Sequence, residues 1–428
     1  MHILLLCHGL PPDSVGGVEQ HVDGLAKALV AAGHRVTIWA RGNLPGQTQG
    51  DWVETSSANP TVVRVAYRWE NVHDLAAMYR CEPMAAALRR FLQQPRAAHG
   101  DFDVAHVHHL TGMSTDAVQV LEDAGVPTVM TLHDYWLFCP RGQMFHRREE
   151  RCETASLERC GECLQATFPW WLRDDTRHAA VAQVHANALR TLALPQRLVV
   201  PSARAIPPFV SLGVPANRFT VVENGVDTER LGQLPPPPSG PGPLRIGYFG
   251  TIMPSKGLHV LLDALARLPR GLATLRIHGN VVPYHGDESY ATRCFQRLQP
   301  GAGVHYMGPY GLDELAPLMA GIDVLAAPAL WHEAFGLTVR EALAAGRPVL
   351  VSRVGGLQDA IADGQHGYVL EPGDVAGWAK AIERLARDRG ELAKLSRGAR
   401  PRARGFAAMA AHLLTIYAEA RVLRSTTT

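Results

Sequence analysis

Apolar residues fall along this chain in short continuous runs, with amphipathic stretches between them. Ile3–Cys7, Val36–Trp39, Val104–Val107, Thr128–Leu132 and Leu198–Val200 are runs of three to five residues rich in Val, Leu and Ile. Between the first two, Val18–Ala31 has helical periodicity and Gly33 as its stop. Unbroken apolar strands alternating with helices predict a parallel sheet covered on both faces. The stretch Gly232–Pro243 interrupts this rhythm with Pro235, Pro236, Pro237, Pro238, Pro241 and Pro243. Such a segment neither pairs in a sheet nor continues a helix, and it predicts a stiff linker. The alternation then restarts with Leu244–Phe249, a helix over Leu258–Arg267, Ala273–His278, Val324–Ala327 and Pro348–Ser352. Phe406–Leu423 is alanine-rich and reads as a helix.

The fold class is therefore α/β, with two Rossmann-like doubly wound domains. The expected boundaries are 1–231 for the first domain, 232–243 for the linker and 244–404 for the second domain. A helix over 405–428 is expected to pack back on the first domain. A length of 428 residues suits two cores. In such sheets ligands bind beyond the carboxyl ends of the strands, and two domains face each other across a cleft.

Composition adds exclusions. The formal net charge is +2, without the basic excess of a nucleic-acid binder. Met1–Cys7 lacks a basic leader, and its apolar run is about half a typical signal core, so it reads as a buried strand. No unbroken apolar run reaches about 18 residues, and no membrane span is expected. The expected location is cytoplasmic, with peripheral contact at the cytoplasmic membrane face left open. Of seven cysteines, Cys7, Cys81 and Cys294 are scattered and read as reduced thiols. Cys139, Cys152, Cys160 and Cys163 are grouped as C-x12-C-x7-C-x2-C. The Cys160/Cys163 pair has the knuckle spacing of tetrahedral zinc. A structural Zn²⁺ is the leading expectation, with an iron–sulfur cluster, two disulfides or four thiols as alternatives.

The most informative segment runs from Trp331 to Val349. Gly336 marks a sharp turn into a helix, and Gly346 with Pro348 ends it. The amides of Gly336, Leu337 and Thr338 stand at the helix start, where free N–H groups and the helix dipole favour a diphosphate. Glu333 lies just before the helix. Glu341 lies about one and a half turns in, where its carboxylate can accept from a vicinal diol such as ribose hydroxyls. Two solvated glutamates on a surface helix are the plainer reading.

Glu333 through Glu341, with Ala342–Val349 after it, resembles the E-x7-E motif of retaining glycosyltransferases of the GT-B fold, family four. The likeness covers nearly the whole chain. Gly16-Gly17-Val18-Glu19 resembles the opening glycine loop, and Val200-Pro201-Ser202 and Asn224-Gly225-Val226-Asp227 resemble segments that close the first domain. Gly250–Gly257 resembles the donor-diphosphate loop. Lys256 matches its lysine, whereas Thr251 stands where an arginine is expected; Arg340 or Arg353 are then candidate stand-ins. The resemblance implies a hexosyltransferase-type enzyme that moves a sugar, with retained anomeric configuration, from a nucleotide-diphosphate donor. UDP- or GDP-sugars are the expected donors and no cofactor is needed for the chemistry. It implies donor contacts at Gly16, Gly17, Thr251, Lys256, Glu333, Phe335, Gly336, Leu337, Thr338 and Glu341. It also implies catalytic roles for Lys256, Glu333 and His133. His133, in Thr131-Leu132-His133-Asp134, is expected to orient sugar or acceptor hydroxyls; a core histidine is the plainer reading. His106, His108 and His109 are read as packing residues. A similar cysteine loop follows the matching segment in part of the family. The acceptor is not legible; Trp69–Arg96 and the cysteine loop are expected to face it. Rival readings are a GT-B nucleotide-sugar epimerase and an NAD-dependent oxidoreductase. The second lacks G-x-G-x-x-G. A zinc-ribbon nucleic-acid binder is disfavoured by charge and by the α/β frame.

Overall fold

The apolar runs become strands buried on both faces. In the computed structural model, which describes residues 1–94, 101–237, 240–298 and 301–427, they build two separate sheets. The expectations that touch Pro95, Arg96, Pro238, Ser239 and Thr428 lie outside the described residues. The chain divides into two compact units. The first comprises Met1–Gly142, Glu153–Gly225 and Phe406–Thr428; the second comprises Gln143–Cys152 and Val226–Gly405. The part of the cysteine loop from Gln143 to Cys152, read with the first domain, thus groups with the second unit. The proline-rich stretch lies inside the second unit, and the crossing falls at Gly225/Val226.

In the first unit the strands are β1 (His2–Cys7), β2 (Arg35–Gly42), β3 (Trp52–Ser56), β4 (Thr61–Ala66), β5 (Val104–Val107), β6 (Thr128–Thr131), β7 (Arg197–Val200) and β8 (Phe219–Val221). They form one sheet in the order β3-β4-β2-β1-β5-β6-β7-β8. All pairings are parallel except β3 against β4. From β1 the sheet grows first toward β2 and then, on the other side, toward β5. The reversal lies between β1 and β5, where α/β sheets bind ligands at their carboxyl ends. The helix Gly17–Ala31 buries Val22, Leu25, Ala26 and Leu29 on this sheet.

Met409, Leu413, Ile416, Tyr417 and Ala420 of the helix Phe406–Thr427 enter the same core. Three ion pairs reinforce it: Glu419 with Arg197 at 3.1 Å, Arg421 with Asp103 at 2.9 Å, and Arg424 with Glu122. By length and composition Phe406–Thr426 is apolar enough to cross a membrane, against the expectation of no such stretch. Alanines with Phe406, Met409, Leu413, Leu414 and Ile416 carry its hydropathy, interrupted by polar residues, and Met409, Leu413, Ile416 and Tyr417 are spent on the core of the first unit.

The second unit holds β9 (Leu244–Phe249), β10 (Ala273–His278), β11 (Val304–Gly308), β12 (Val324–Ala327), β13 (Val349–Ser352) and β14 (Gly367–Leu370). The order is β11-β10-β9-β12-β13-β14, parallel throughout. Asp323, buried just before β12, accepts from the β9 residue Arg245 at both backbone (2.9 Å) and guanidinium (2.6 Å). That charge-assisted clamp fixes the central strand pair. The reversal between β9 and β12 puts their carboxyl ends at the ligand-binding position of the sheet.

Candidate functional site

In the second unit, β12 is followed by a loop and the helix Leu337–Ala344. Gly336 caps that helix in the left-handed region, φ 79°, and a Cβ there would lie 2.2 Å from Leu357 Cδ2. Only glycine satisfies both demands. The first amides of a helix have no intrahelical acceptor, so those of Gly336, Leu337 and Thr338 are presented to whatever lies beyond the helix start. The loop before them is tied down: Gly356 N–H donates to the Glu333 carbonyl at 2.7 Å.

The loop after β9 lies against this one. Leu330 N–H donates to the Ser255 carbonyl at 2.8 Å, and Gly257 is packed so closely on the Pro328 carbonyl that a Cβ would overlap it. The contact brings Lys256 Nζ to 2.5 Å from Glu333 Oε2 and 5.1 Å from the centre of the Trp331 ring. The pair is mostly shielded, with side-chain exposures of 29% and 13%. Lys256 and Glu333 are thus one charge-compensated unit, and a diphosphate would compete with the carboxylate for the ammonium.

Glu341 is buried, and loss of solvation raises its pKa from 4.5 to about 7. Its charge pushes the Tyr310 phenol further up, after the larger effect of burial. Tyr310 stands edge-on to Phe249, which stacks on His278 with centroids 4.8 Å apart. Phe249 and His278 are the last residues of β9 and β10. This aromatic corner was missed in the sequence, where strand-terminal aromatics look like core; their place at adjacent carboxyl strand ends is the signal that could have found them. Phe335 carries the Arg340 guanidinium 4.0 Å from its ring centre, and the same guanidinium donates to the Phe335 carbonyl. Arg353 pairs with Glu371 at 2.6 Å. Both cations named as stand-ins for the missing arginine are therefore engaged elsewhere. The Thr251 carbonyl accepts from Tyr248 OH at 3.2 Å.

Gln143 is a further residue that the sequence did not disclose. Its Oε1 accepts from Ser255 Oγ at 2.6 Å and from Tyr284 OH at 2.9 Å. Glu149, on the same arm, pairs with Arg293 at 2.6 Å. The arm Gln143–Cys152 thus braces the turn Pro254–Lys256 that carries the lysine.

In the first unit, Gly16 and Gly17 open the helix Gly17–Ala31. A Cβ on Gly16 would sit 2.6 Å from a Glu19 carboxylate oxygen. Glu19 is buried, accepts from Ser14 Oγ and lies 3.3 Å from His8 Nε2. The glycine loop therefore already faces a carboxylate, which opposes a close diphosphate there.

His133 follows β6 and is half-buried. Its Nε2 lies 3.3 Å from His108 Nδ1, and its ring is edge-on to His21 at 4.7 Å. Burial holds His133, His108 and His106 well below the usual imidazole pKa and brings His21 to about 3. His106 is a packing residue, with Nδ1 2.7 Å from Tyr417 OH and Nε2 2.7 Å from Thr131 Oγ1. His109 meets Asp134 at 3.3 Å. His108, read as packing, instead joins His133. From the Trp69–Arg96 region, Leu75, Tyr79 and Arg80 line a cavity of about 340 Å³ with Trp171, Leu172 and Arg190.

Cys160 and Cys163 sit one turn apart on the helix Leu157–Thr167, which Ser156 caps. Burial, and then the neighbouring Cys139 and Cys163, push the Cys160 thiol up to about 11. These three cysteines belong to the first unit; Cys152 closes the arm assigned to the second. Cys7, Cys81 and Cys294 are buried thiols.

Comparison with known proteins follows the same division. Residues 15–230 match the model of Glycosyltransferase Family 4, and residues 243–388 match that of glycosyl transferases group 1. A glycogen synthase of Mycobacterium tuberculosis is 27% identical over 417 residues, covering 94% of this chain and 90% of its own. A D-inositol 3-phosphate glycosyltransferase of Corynebacterium diphtheriae is 26% identical over 428 residues, covering 95% and 91%. Among solved structures, Anabaena Alr3699/HepE in complex with UDP and glucose superposes with a TM-score of 0.69 at 17% identity, covering 98% of this chain and all of the other.

Proposed function

The chain belongs to Glycosyltransferase Family 4 and is a glycosyltransferase of GT-B fold, and from that premise we propose that it transfers a hexosyl group from a UDP-sugar with retention of anomeric configuration. The single observation that carries the reading is the Lys256–Glu333 pair set against the amide-bearing helix start at Gly336, with buried Glu341 behind it. UDP is the first choice of nucleotide because the Anabaena structure holds UDP with glucose; a GDP-sugar is the next to test. The family match favours transfer over the epimerase and oxidoreductase readings.

In this reading the donor diphosphate takes Lys256 away from Glu333 and rests on the amides of Gly336, Leu337 and Thr338. Glu333 is released toward the sugar hydroxyls. Glu341 accepts from the ribose diol, with Phe249, His278, Tyr310 and Phe335 offering apolar faces nearby. The leaving diphosphate takes the acceptor proton on the face from which it departs, so no protein base is required. The protein contributes position and stabilisation of the leaving charge. Gly16 and Gly17 are assigned to the sugar and acceptor rather than the diphosphate, because Glu19 fills the space beside them. His133 orients a hydroxyl. The acceptor is a glycan, a lipid-linked glycan or a small molecule.

The cysteines Cys139, Cys152, Cys160 and Cys163 are proposed to hold a structural Zn²⁺. Three crowded thiols, two of them one helical turn apart, suit a soft divalent ion. Such an ion supplies rigidity and no reaction chemistry. A reducing, cytoplasmic setting goes with that assignment.

A thermal-shift screen of UDP-, GDP-, ADP- and dTDP-sugars on wild type and Glu341→Ala tests the donor. Stabilisation by one nucleotide class, lost in the variant, is expected; no stabilisation by any donor overturns the reading. The anomer formed with the productive donor tests retention.

A further inference from the structure

Three imidazoles meet at the ligand-binding edge of the first sheet. His21 comes from the helix after β1, His108 from just beyond β5 and His133 from just beyond β6, three adjacent strands. One ring nitrogen of each lies within 4.8 Å of the others. Ring centroids are 5.1 Å (His21–His108), 4.7 Å (His21–His133) and 5.5 Å (His108–His133) apart.

Two features of this cluster ask for a ligand. His21 is 2% exposed, and neither of its ring nitrogens has a hydrogen-bond partner. An orphaned buried polar atom costs about 1–3 kcal/mol, and His21 alone carries two. The nearest hydrogen-bonding histidine, His106, is saturated by Tyr417 and Thr131 and has nothing to give. Second, His108 Nδ1 and His133 Nε2 already stand 3.3 Å apart. Two imidazole nitrogens bound to one tetrahedral zinc at about 2.0–2.1 Å are separated by about 3.3 Å. Small rotations of His21 would complete a three-nitrogen face.

We infer that His21, His108 and His133 form a binding site for a divalent transition-metal ion of the zinc class. Three neutral nitrogen donors without a carboxylate select such an ion over Mg²⁺ or Ca²⁺. His133 is the one partly exposed member, so the remaining coordination position faces its side. There the ion binds an oxygen of water or of an acceptor. An imidazole has two nitrogens, and His133 keeps one for a hydroxyl while the other holds the metal. The site shares His133 with the proposed function but involves neither Lys256 and Glu333 nor the cysteine cluster.

The test uses untagged protein, stripped with a chelator and titrated with Co²⁺ alone, in wild type and in a Cys160→Ser/Cys163→Ser background. The expected result is one equivalent bound in that background, with ligand-field bands and no thiolate charge-transfer band. His21→Gln, and separately His108→Gln, weaken it at least tenfold with circular dichroism unchanged. Absence of Co²⁺ binding in the folded Cys160→Ser/Cys163→Ser background, or equal binding with and without His21, overturns the site. Should that background not fold, the wild type decides: a thiolate-free band lost in His21→Gln or His108→Gln supports the site, and its absence overturns it.

Discussion

Glu341 combines a buried carboxyl with a ligand role, and its chemistry can be read in pH. Its folded pKa of about 7 lies above the ordinary 4.5, so the folded protein binds this proton more tightly than the unfolded chain. The associated stability is complete below about pH 4.5 and is lost as pH rises through 7. A shift of this size corresponds to roughly 3 kcal/mol. Glu341→Gln is expected to lose less Tm than wild type between pH 5 and pH 8; equal losses in both proteins would refute the assignment. A ribose diol donates to the ionised form, so nucleotide affinity should rise from pH 6 to pH 8 in wild type and stay flat in the variant. Gly336 makes a second residue-scale prediction. Gly336→Ala forces a Cβ into Leu357 and an unfavourable φ, and should lower stability by about 1–3 kcal/mol with at least a tenfold loss of nucleotide affinity by calorimetry. The two glutamates were legible because their spacing and glycine context are local. The Lys256–Glu333 pair was not, since its members come from different loops and only the fold joins them.

At the scale of elements, what could be read was what repeats locally. β1, β5, β9 and β12 are predominantly apolar runs and stand out in any window. β3 does not: Glu54 and Thr55 face solvent, and its antiparallel place at the sheet edge follows from pairing with β4, not from its own residues. The arm Gln143–Cys152 is likewise opaque, because its partners Ser255, Tyr284 and Arg293 lie far along the chain. Its role is checkable. Gln143→Ala frees Ser255 and Tyr284 and loosens the turn that carries Lys256. UDP affinity should fall several-fold while the protein stays folded with Tm lowered by about 4–8 °C, since two partly buried hydrogen bonds of about 1 kcal/mol each are lost. An unchanged affinity would separate the arm from the donor site.

For the whole molecule, chain order and structural membership differ. Met409, Leu413, Ile416 and Tyr417 are fully buried in a core otherwise built from the start of the sequence. Four such side chains contribute roughly 6–12 kcal/mol, comparable to the whole stability of a domain, about 5–15 kcal/mol. A chain ending at Gly405 is expected to leave the first unit protease-sensitive and the second unit resistant, with nucleotide binding kept. A resistant first unit would show that the helix is dispensable. The sequence suggested that this helix turns back to the first domain, but the hydroxyl of Tyr417 on His106 could not be foreseen.

That helix also sets a timetable for synthesis. A ribosome that has finished Gly225 has translated every strand of the first sheet, yet the helix Phe406–Thr427 that seals one face is still to be made. The long segment Val226–Gly405 of the second unit emerges in between. During that interval the nascent chain displays an uncovered apolar surface, open to chaperones and proteases alike. A product cut short anywhere within the second unit keeps that surface exposed, so the order of translation itself marks incomplete copies for removal.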